Sequence, residues 1–155
     1  MSYKVKGFEF VEELPIDETN GKESFIDSTA IIEGGMYIYW HKMSEDRPTE
    51  QATAYVYDVT DKMTYGRIFS SFGDKGKIAL TEGQILSYVG KYPEKLRLKD
   101  GRLNLFLEKC DGRLYIVSAC FDYYPDKRGL YIRKLPFRNV FDNPIHYKHR
   151  VIILA

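Results

Sequence analysis

Residues 96–121 read LRLKDGRLNLFLEKCDGRLYIVSACF and contain the Asp-Gly-Arg-Leu motif twice. An Asp-Gly pair between alternating apolar runs is the strongest short-range signal for a β-hairpin, because a tight hairpin turn needs residues that tolerate positive φ. We therefore predict two-residue turns at Asp100-Gly101 and at Asp111-Gly112. The strands that these turns connect form a meander, which we extend over residues 95–135.

The register of the two turns sorts the side chains of the meander onto two faces. The first turn pairs Leu98 with Leu103, and the second pairs Leu105 with Ser118. Side chains alternate between faces along a strand, so a slip of one residue would mix the two sets. One face is apolar and collects Leu96, Leu98, Leu103, Leu105, Leu107, Leu114, Ile116, Ser118 and Cys120. The other face adds Asn104 and Glu108 to a set of basic and aromatic residues: Arg97, Lys99, Arg102, Phe106, Tyr115 and Phe121.

The same register separates the two cysteines of the chain. Cys110 lies at the tip of the second hairpin, and Cys120 lies about 20 Å away at about 3.3 Å per residue. A disulfide needs Cα atoms within about 7 Å of each other. We therefore expect two thiols that are not linked, which agrees with a reducing compartment. The absence of a Cys-x-x-Cys pair also excludes the cysteine-rich types of zinc site.

Outside the meander, one segment reads clearly as a helix, over residues 82–92. Thr81 and Gln84 match the capping-box pattern, apolar residues follow at helical spacing, and Pro93 ends the segment. The remaining apolar runs, such as residues 65–72 and the C-terminal run, are predicted to be strands.

The element pattern predicts a mostly β fold in a single domain over residues 1–155. We expect an antiparallel barrel or sandwich of about eight strands with one helix near residues 82–92. The combination of few strands, one helix and a basic-aromatic sheet face is similar in architecture to the OB-fold, without a motif that marks that family.

Composition excludes several classes of protein. The chain has 155 residues with a formal net charge of +1, so it is neither polybasic nor polyacidic. Its hydrophobic content of 44% argues against a disordered chain. There is no apolar run long enough for a membrane span and no signal-peptide pattern, so we expect a cytoplasmic protein without a membrane partner.

The basic-aromatic face of the meander indicates a binding function. Cations neutralise phosphates and aromatic rings stack bases, which is what single-stranded nucleic acid requires. A second basic group, which could extend the face, consists of Arg128, Arg133, Lys134, Arg138, Lys148, His149 and Arg150. From this group we assign Arg133, Lys134, Lys148 and Arg150 to the binding surface. Ordinary surface charge on an edge strand is the alternative explanation.

We interpret the protein as a non-enzymatic accessory or inhibitor-type protein, such as a phage or mobile element encodes. Its partner is either single-stranded nucleic acid or a protein that it modulates. We expect no cofactor and no metal site, because the chain lacks a P-loop, a GxGxxG loop, a GxSxG elbow and an HExxH motif. A homodimer formed by pairing of strand edges is a further expectation.

Two other functions remain open at this point. A barrel could carry a small ligand, with Tyr37, Tyr39 and Trp40 near its pocket. A metal-independent nuclease could use histidine acid–base chemistry. The histidines available for it are His41, His146 and His149.

Overall fold

The computed structural model describes residues 3–22, 36–38, 47–99, 101–121 and 129–155. The central hairpin has the predicted register. Strand β6 (Asn104–Cys110) pairs with β7 (Arg113–Phe121), and Leu105 lies opposite Ser118. Asp111 has φ of 51° and Gly112 has φ of 73°, so both turn residues adopt the positive φ that the turn requires.

The predicted strand pairing on either side of Asp100-Gly101 is wrong. Asp100 lies outside the described residues, and the Arg102 N–H donates to the Lys99 carbonyl at 3.2 Å across it. The chain before it forms a 3₁₀ turn over Pro93–Leu96 instead of a strand. The edge of β6 is occupied by the C-terminal strand β9 (Arg150–Leu154), which runs parallel to it and places Arg150 opposite Asn104. Pairing with a distant strand therefore replaces the local hairpin.

The described strands form an open, mixed sheet. Its strand order is β1-β5-β9-β6-β7-β8-β3, and the remaining strands are β1 (Phe8–Ile16), β3 (Met36–Ile38), β5 (Ala52–Val59) and β8 (Leu130–Pro136). β2 (Thr19–Asn20) and β4 (Pro48–Thr49) form a separate two-stranded sheet. The mostly β class is confirmed. The fully antiparallel arrangement is wrong, since β3 is parallel to β8 and β9 to β6, and the described strands do not close into a barrel.

Helices cover both faces of this sheet. Helix α3 (Glu82–Lys91) begins at the predicted capping box, with Thr81 and Gln84 each bonding the other's backbone. It packs on one face with Phe106, Val117 and Ile152. The other face holds α1 (Tyr65–Ser70), α2 (Lys75–Ile78) and α4 (Phe137–Val140).

Tyr65–Ser70 form a helix, whereas the sequence predicted a strand over residues 65–72. Thr64 caps α1 by accepting a hydrogen bond from the Arg67 backbone N–H at 3.2 Å. Ile68 and Phe69 are buried one turn later against the sheet. The aromatic and β-branched content favours a strand locally, but the cap and the packing of this face determine the helix.

Because helices lie on both sides of the sheet, its middle strand β6 is buried on both faces. β6 has only one exposed residue, Lys109. Cys110 and Cys120 are both buried and are not linked by a disulfide, and they lie toward opposite ends of the hairpin, as its register requires. Among the described residues, no helix has the length and apolar character needed to cross a bilayer.

Candidate functional site

One end of the sheet gathers most of the residues predicted to bind. At this end β5 and β7 finish while β6, β8 and β9 begin, because Asp58 lies opposite Arg150, Arg150 opposite Asn104, and Phe121 opposite Leu130. Six of the ten predicted residues lie in these strand ends or the loops next to them: Arg97, Lys99, Arg102, Phe121, Lys148 and Arg150. Tyr147, which lies three residues before the start of β9, is at the same end. We call these six residues and Tyr147 the basic sheet end.

Asp58 joins two arginines at the basic sheet end. Arg102 Nη2 donates to Asp58 Oδ1 at 2.8 Å, and Arg150 Nε donates to the same oxygen at 2.9 Å. Arg150 Nη2 reaches the other carboxylate oxygen at 3.3 Å. Burial alone would lower the pKa of Arg150, but the hydrogen bond and charge of Asp58 outweigh it and raise the pKa. The cluster carries two positive charges and one negative charge, so it is cationic.

Backbone contacts fix the loop that carries Arg102. Arg102 Nε donates to the Lys148 carbonyl at 2.6 Å, and the Leu103 N–H donates to His149 Nδ1 at 2.9 Å. The Arg150 N–H donates in turn to the Leu103 carbonyl at 3.0 Å. These hydrogen bonds hold residues 101–103 against the segment that leads into β9. The fold therefore places the backbones of Arg102 and Arg150 next to each other.

Tyr147 adds an exposed ring to this surface. Its side chain is 52% exposed, and it contacts the loop at Gly101. Gly101 has φ of +76°, and a Cβ there would lie 2.9 Å from Tyr147 Cζ, so both the backbone and the close ring require glycine. The ring is therefore seated on the loop beside Arg102 and Lys148.

Arg97 and Phe121 form a second basic-aromatic pair at the same end. The Arg97 guanidinium lies over the Phe121 ring, with Cζ 4.5 Å from the ring centroid. Arg97 is exposed and Phe121 is half-buried. Stacking of this kind leaves a cation accessible above an aromatic surface. Lys99 is also exposed, and its carbonyl accepts from the Arg102 N–H at 3.2 Å.

The other four predicted residues lie elsewhere, and three of them are not on the surface. Phe106 and Tyr115 are buried at 0% and 3% exposure, and Lys134 is fully buried. The expectation that they share a solvent-facing surface is wrong, because α3 covers that face of the sheet; Tyr88 of α3 lies 5.5 Å from Phe106, ring centroid to ring centroid. Arg133 is exposed but belongs to the opposite face of β8, beside Tyr65.

Lys134 belongs to a buried charge cluster. Its ammonium pairs with Glu108 and lies 3.6 Å from Glu82 Oε1 and 4.9 Å from the Tyr115 ring centroid. Burial would lower the pKa of Lys134, but the attraction and hydrogen bond of Glu108 and the charge of Glu82 raise it. Because all these groups are buried, the cluster has no surface that a macromolecule could contact.

The structure weighs against an acid–base role for His149. Its ring is 3% exposed, and Nδ1 already accepts the Leu103 N–H. Burial, together with the charges of Arg102 and His146, lowers the pKa of His149 to about 4. His146 is exposed at the basic sheet end, and His41 lies outside the described residues. Within the described ranges no three His, Cys, Asp or Glu side chains are grouped so as to hold a metal ion.

Two further predictions fall on parts of the chain that the structure does not describe. Arg128 lies outside the described residues, as do Tyr39 and Trp40 of the small-ligand hypothesis. For Tyr37 only the backbone pairing with Tyr131 is described. Arg138 is exposed in α4, which follows the opposite end of β8.

Sequence reasoning missed two members of the site. Asp58 stands in a run that reads simply as a strand, and its partners are 44 and 92 residues away in sequence, so no local signal marks it. Tyr147 did carry a signal, because it is an aromatic residue between basic ones in the run His146–Arg150. The pattern of basic residues assigns only Lys148 and Arg150 of that run to the binding surface and leaves Tyr147 out.

Comparison with known proteins gives no assignment: no family model, no curated protein and no solved structure matches the chain. The chemistry of the basic sheet end is therefore the basis for inferring a function.

Proposed function

We propose that this protein is a non-enzymatic binding protein that holds single-stranded nucleic acid at the basic sheet end. The proposal is supported by one observation: cationic and aromatic side chains from separate segments of the chain lie together at one end of the sheet. Among the described residues, only one acidic side chain, Asp58, is bonded into this group, and it holds two arginines.

The exposed groups match the two requirements of a single strand. Arg97, Lys99 and Lys148 are exposed and supply charge for phosphates. Tyr147 supplies a half-exposed ring on which an unpaired base can stack. A duplex offers no unstacked base to such a ring, so the combination favours a single strand.

The other candidate functions have less support. The nuclease hypothesis pairs two histidines, but His149 is buried with Nδ1 occupied, so His146 is the one described histidine that solvent reaches. The ligand-carrying hypothesis placed its pocket inside a barrel, and the described strands form an open sheet. A protein partner with an acidic surface would use the same cations, and the test below separates it from nucleic acid.

The test is fluorescence anisotropy of a labelled single strand of about 20 nucleotides, titrated with protein at low and at moderate salt. We expect saturable binding that weakens steeply with salt, because bound cations displace counterions from the strand. A duplex of the same sequence should bind more weakly. No saturable binding at low salt would overturn the proposal and leave an acidic protein as the partner to seek.

Matched lysine variants localise the binding. Lys99→Ala should reduce the slope of log affinity against log salt by about one, since one phosphate contact is lost. Lys109→Ala is the control, because Lys109 is also an exposed lysine and lies within β6 at the end away from the basic sheet end. Equal effects of both substitutions would move the binding surface away from the basic sheet end.

A further inference from the structure

We infer that Arg102 and Arg150, held by Asp58, form a binding site for one phosphoryl group. This inference rests on the proposed function, because it names the part of the nucleic acid that these two arginines would take. It is nevertheless separable from that function, since a phosphoryl group can be offered without a strand.

The two guanidinium groups are close enough to share one ligand. Arg102 Nη2 and Arg150 Nε both bond Asp58 Oδ1, at 2.8 and 2.9 Å, so these nitrogens lie within about 6 Å of each other. A tetrahedral phosphoryl group presents several oxygens and can accept hydrogen bonds from two guanidinium groups at this spacing.

Each arginine keeps a donor for the ligand. The hydrogen bonds of Arg102 and of Arg150 to described residues use only Nε and Nη2. Nη1 of each side chain takes part in none of these bonds. The side chains are 27% exposed for Arg102 and 16% for Arg150, which leaves both accessible from solvent.

Asp58 positions these arginines without cancelling their charge. It fixes Arg102 and Arg150 before a ligand arrives, which lowers the conformational entropy lost on binding. The groups that face this cluster are His149, which stays neutral near pH 7 because its pKa is lowered to about 4, and Tyr88 and Glu12 on the side of Arg150. Glu12 is itself paired with Lys95 at 2.9 Å.

The site favours a phosphate ester over a carboxylate ligand. Two planar guanidinium groups that approach from a loop and from β9 suit an anion with oxygens in more than one plane. Lys148 and Lys99 at the rim add attraction for the second charge of a terminal phosphate or for the next phosphate of a strand.

The experiment follows the side-chain NMR signals of the arginines while inorganic phosphate is added at constant ionic strength. We expect saturable shifts of the Arg102 and Arg150 Nε signals and none at Arg113, an exposed arginine beside the far turn of the same hairpin. Titration with chloride should not reproduce these shifts. Shifts that do not saturate, or that are equal at Arg113, would overturn the site.

Arg150→Lys keeps the charge and removes the planar donor group. It should weaken phosphate binding about tenfold, as expected for the loss of charge-assisted hydrogen bonds. Arg102→Lys serves as the second variant, should Arg150→Lys not fold. Phosphate affinity that is unchanged in the folded variants would contradict the inference.

Two sources of the phosphoryl group are then compared. If a strand with a 5′-phosphate binds more tightly than the same strand without it, the site takes a terminal phosphate. If both strands bind equally and Arg150→Lys weakens the binding of both, the site takes a backbone phosphate. Phosphate binding without any strand binding would retain this site and reject the proposed function. Strand binding that Arg102→Lys and Arg150→Lys both leave intact would reject this site and retain the function.

Discussion

Two clusters of charged side chains lie on the same face of the sheet. One has more acidic than basic groups and is buried, and the other has more basic than acidic groups and is accessible to water. In the covered middle, Lys134 lies between Glu108 and Glu82, and its side chain is 0% exposed. At the end of the sheet, Asp58 lies between Arg102 and Arg150 and is 23% exposed. Desolvation makes the buried cluster costly to disrupt and unreachable for a ligand. The second cluster keeps donors that face water, so it can exchange water for an anion.

The largest effect that tests this comparison is the loss of Lys134. Lys134→Met leaves Glu108 and Glu82 buried without their cation, and it should lower the free energy of unfolding by about 3–5 kcal/mol. Urea unfolding measures the loss. Because an apolar pair of similar volume can replace a buried ion pair, adding Glu108→Leu to this variant should restore much of the stability. Little loss in the single variant would show that the cluster is hydrated and not structural.

A second effect comes from His149, a buried group beside the exposed cluster. Folding lowers its pKa from 6.5 to about 4, so the unfolded chain takes up the proton first as the pH falls. The stability that this provides is complete above pH 6.5 and is lost as the pH falls toward 4. The shift corresponds to about 3 kcal/mol.

Comparison with a variant isolates this contribution from that of the carboxylates. His149→Asn keeps an acceptor for the Leu103 N–H but does not titrate in this range. We expect the wild-type protein to lose about 3 kcal/mol more stability than His149→Asn between pH 6.5 and 4, in urea unfolding at each pH. Parallel losses in the two proteins would contradict the burial of the imidazole.

The smallest effect concerns the half-exposed cluster. Asp58→Asn removes the charge that holds Arg102 and Arg150, and it should cost about 1 kcal/mol because water screens partly exposed pairs. High salt should shrink this difference, whereas the loss caused by Lys134→Met should change little with salt, since buried charges are screened much less. If the stability losses of both variants depended on salt in the same way, the two clusters would not differ in their access to water.

Short-range signals were sufficient for two elements. The Asp111-Gly112 turn and the alternation on either side of it predicted the register of β6 and β7, and the capping box predicted where α3 begins. In both cases the information lies within a few residues of the element that it specifies.

The failures share one cause. The Asp100-Gly101 signal was as strong as its neighbour's, but β9 pairs with β6 in place of the expected strand. The run at residues 65–72 has strand-like composition, but tertiary packing of Ile68 and Phe69 favours a helix over Tyr65–Ser70. The pattern of neighbouring residues does not show pairing or packing with a segment more than 40 residues away in sequence.

For the candidate site, the sequence by itself determined the supply of cations and aromatic rings, and it identified most of the residues at the basic sheet end. Only the tertiary structure decided which of them face water. Phe106, Tyr115 and Lys134 share a sequence pattern with residues of the site, yet α3 covers them. Asp58 meets Arg150 through the pairing of β5 with β9, and it meets Arg102 through the loop that precedes β6. The physical reason is that charge and side-chain alternation are properties of neighbouring residues, whereas burial depends on which distant segments pack together.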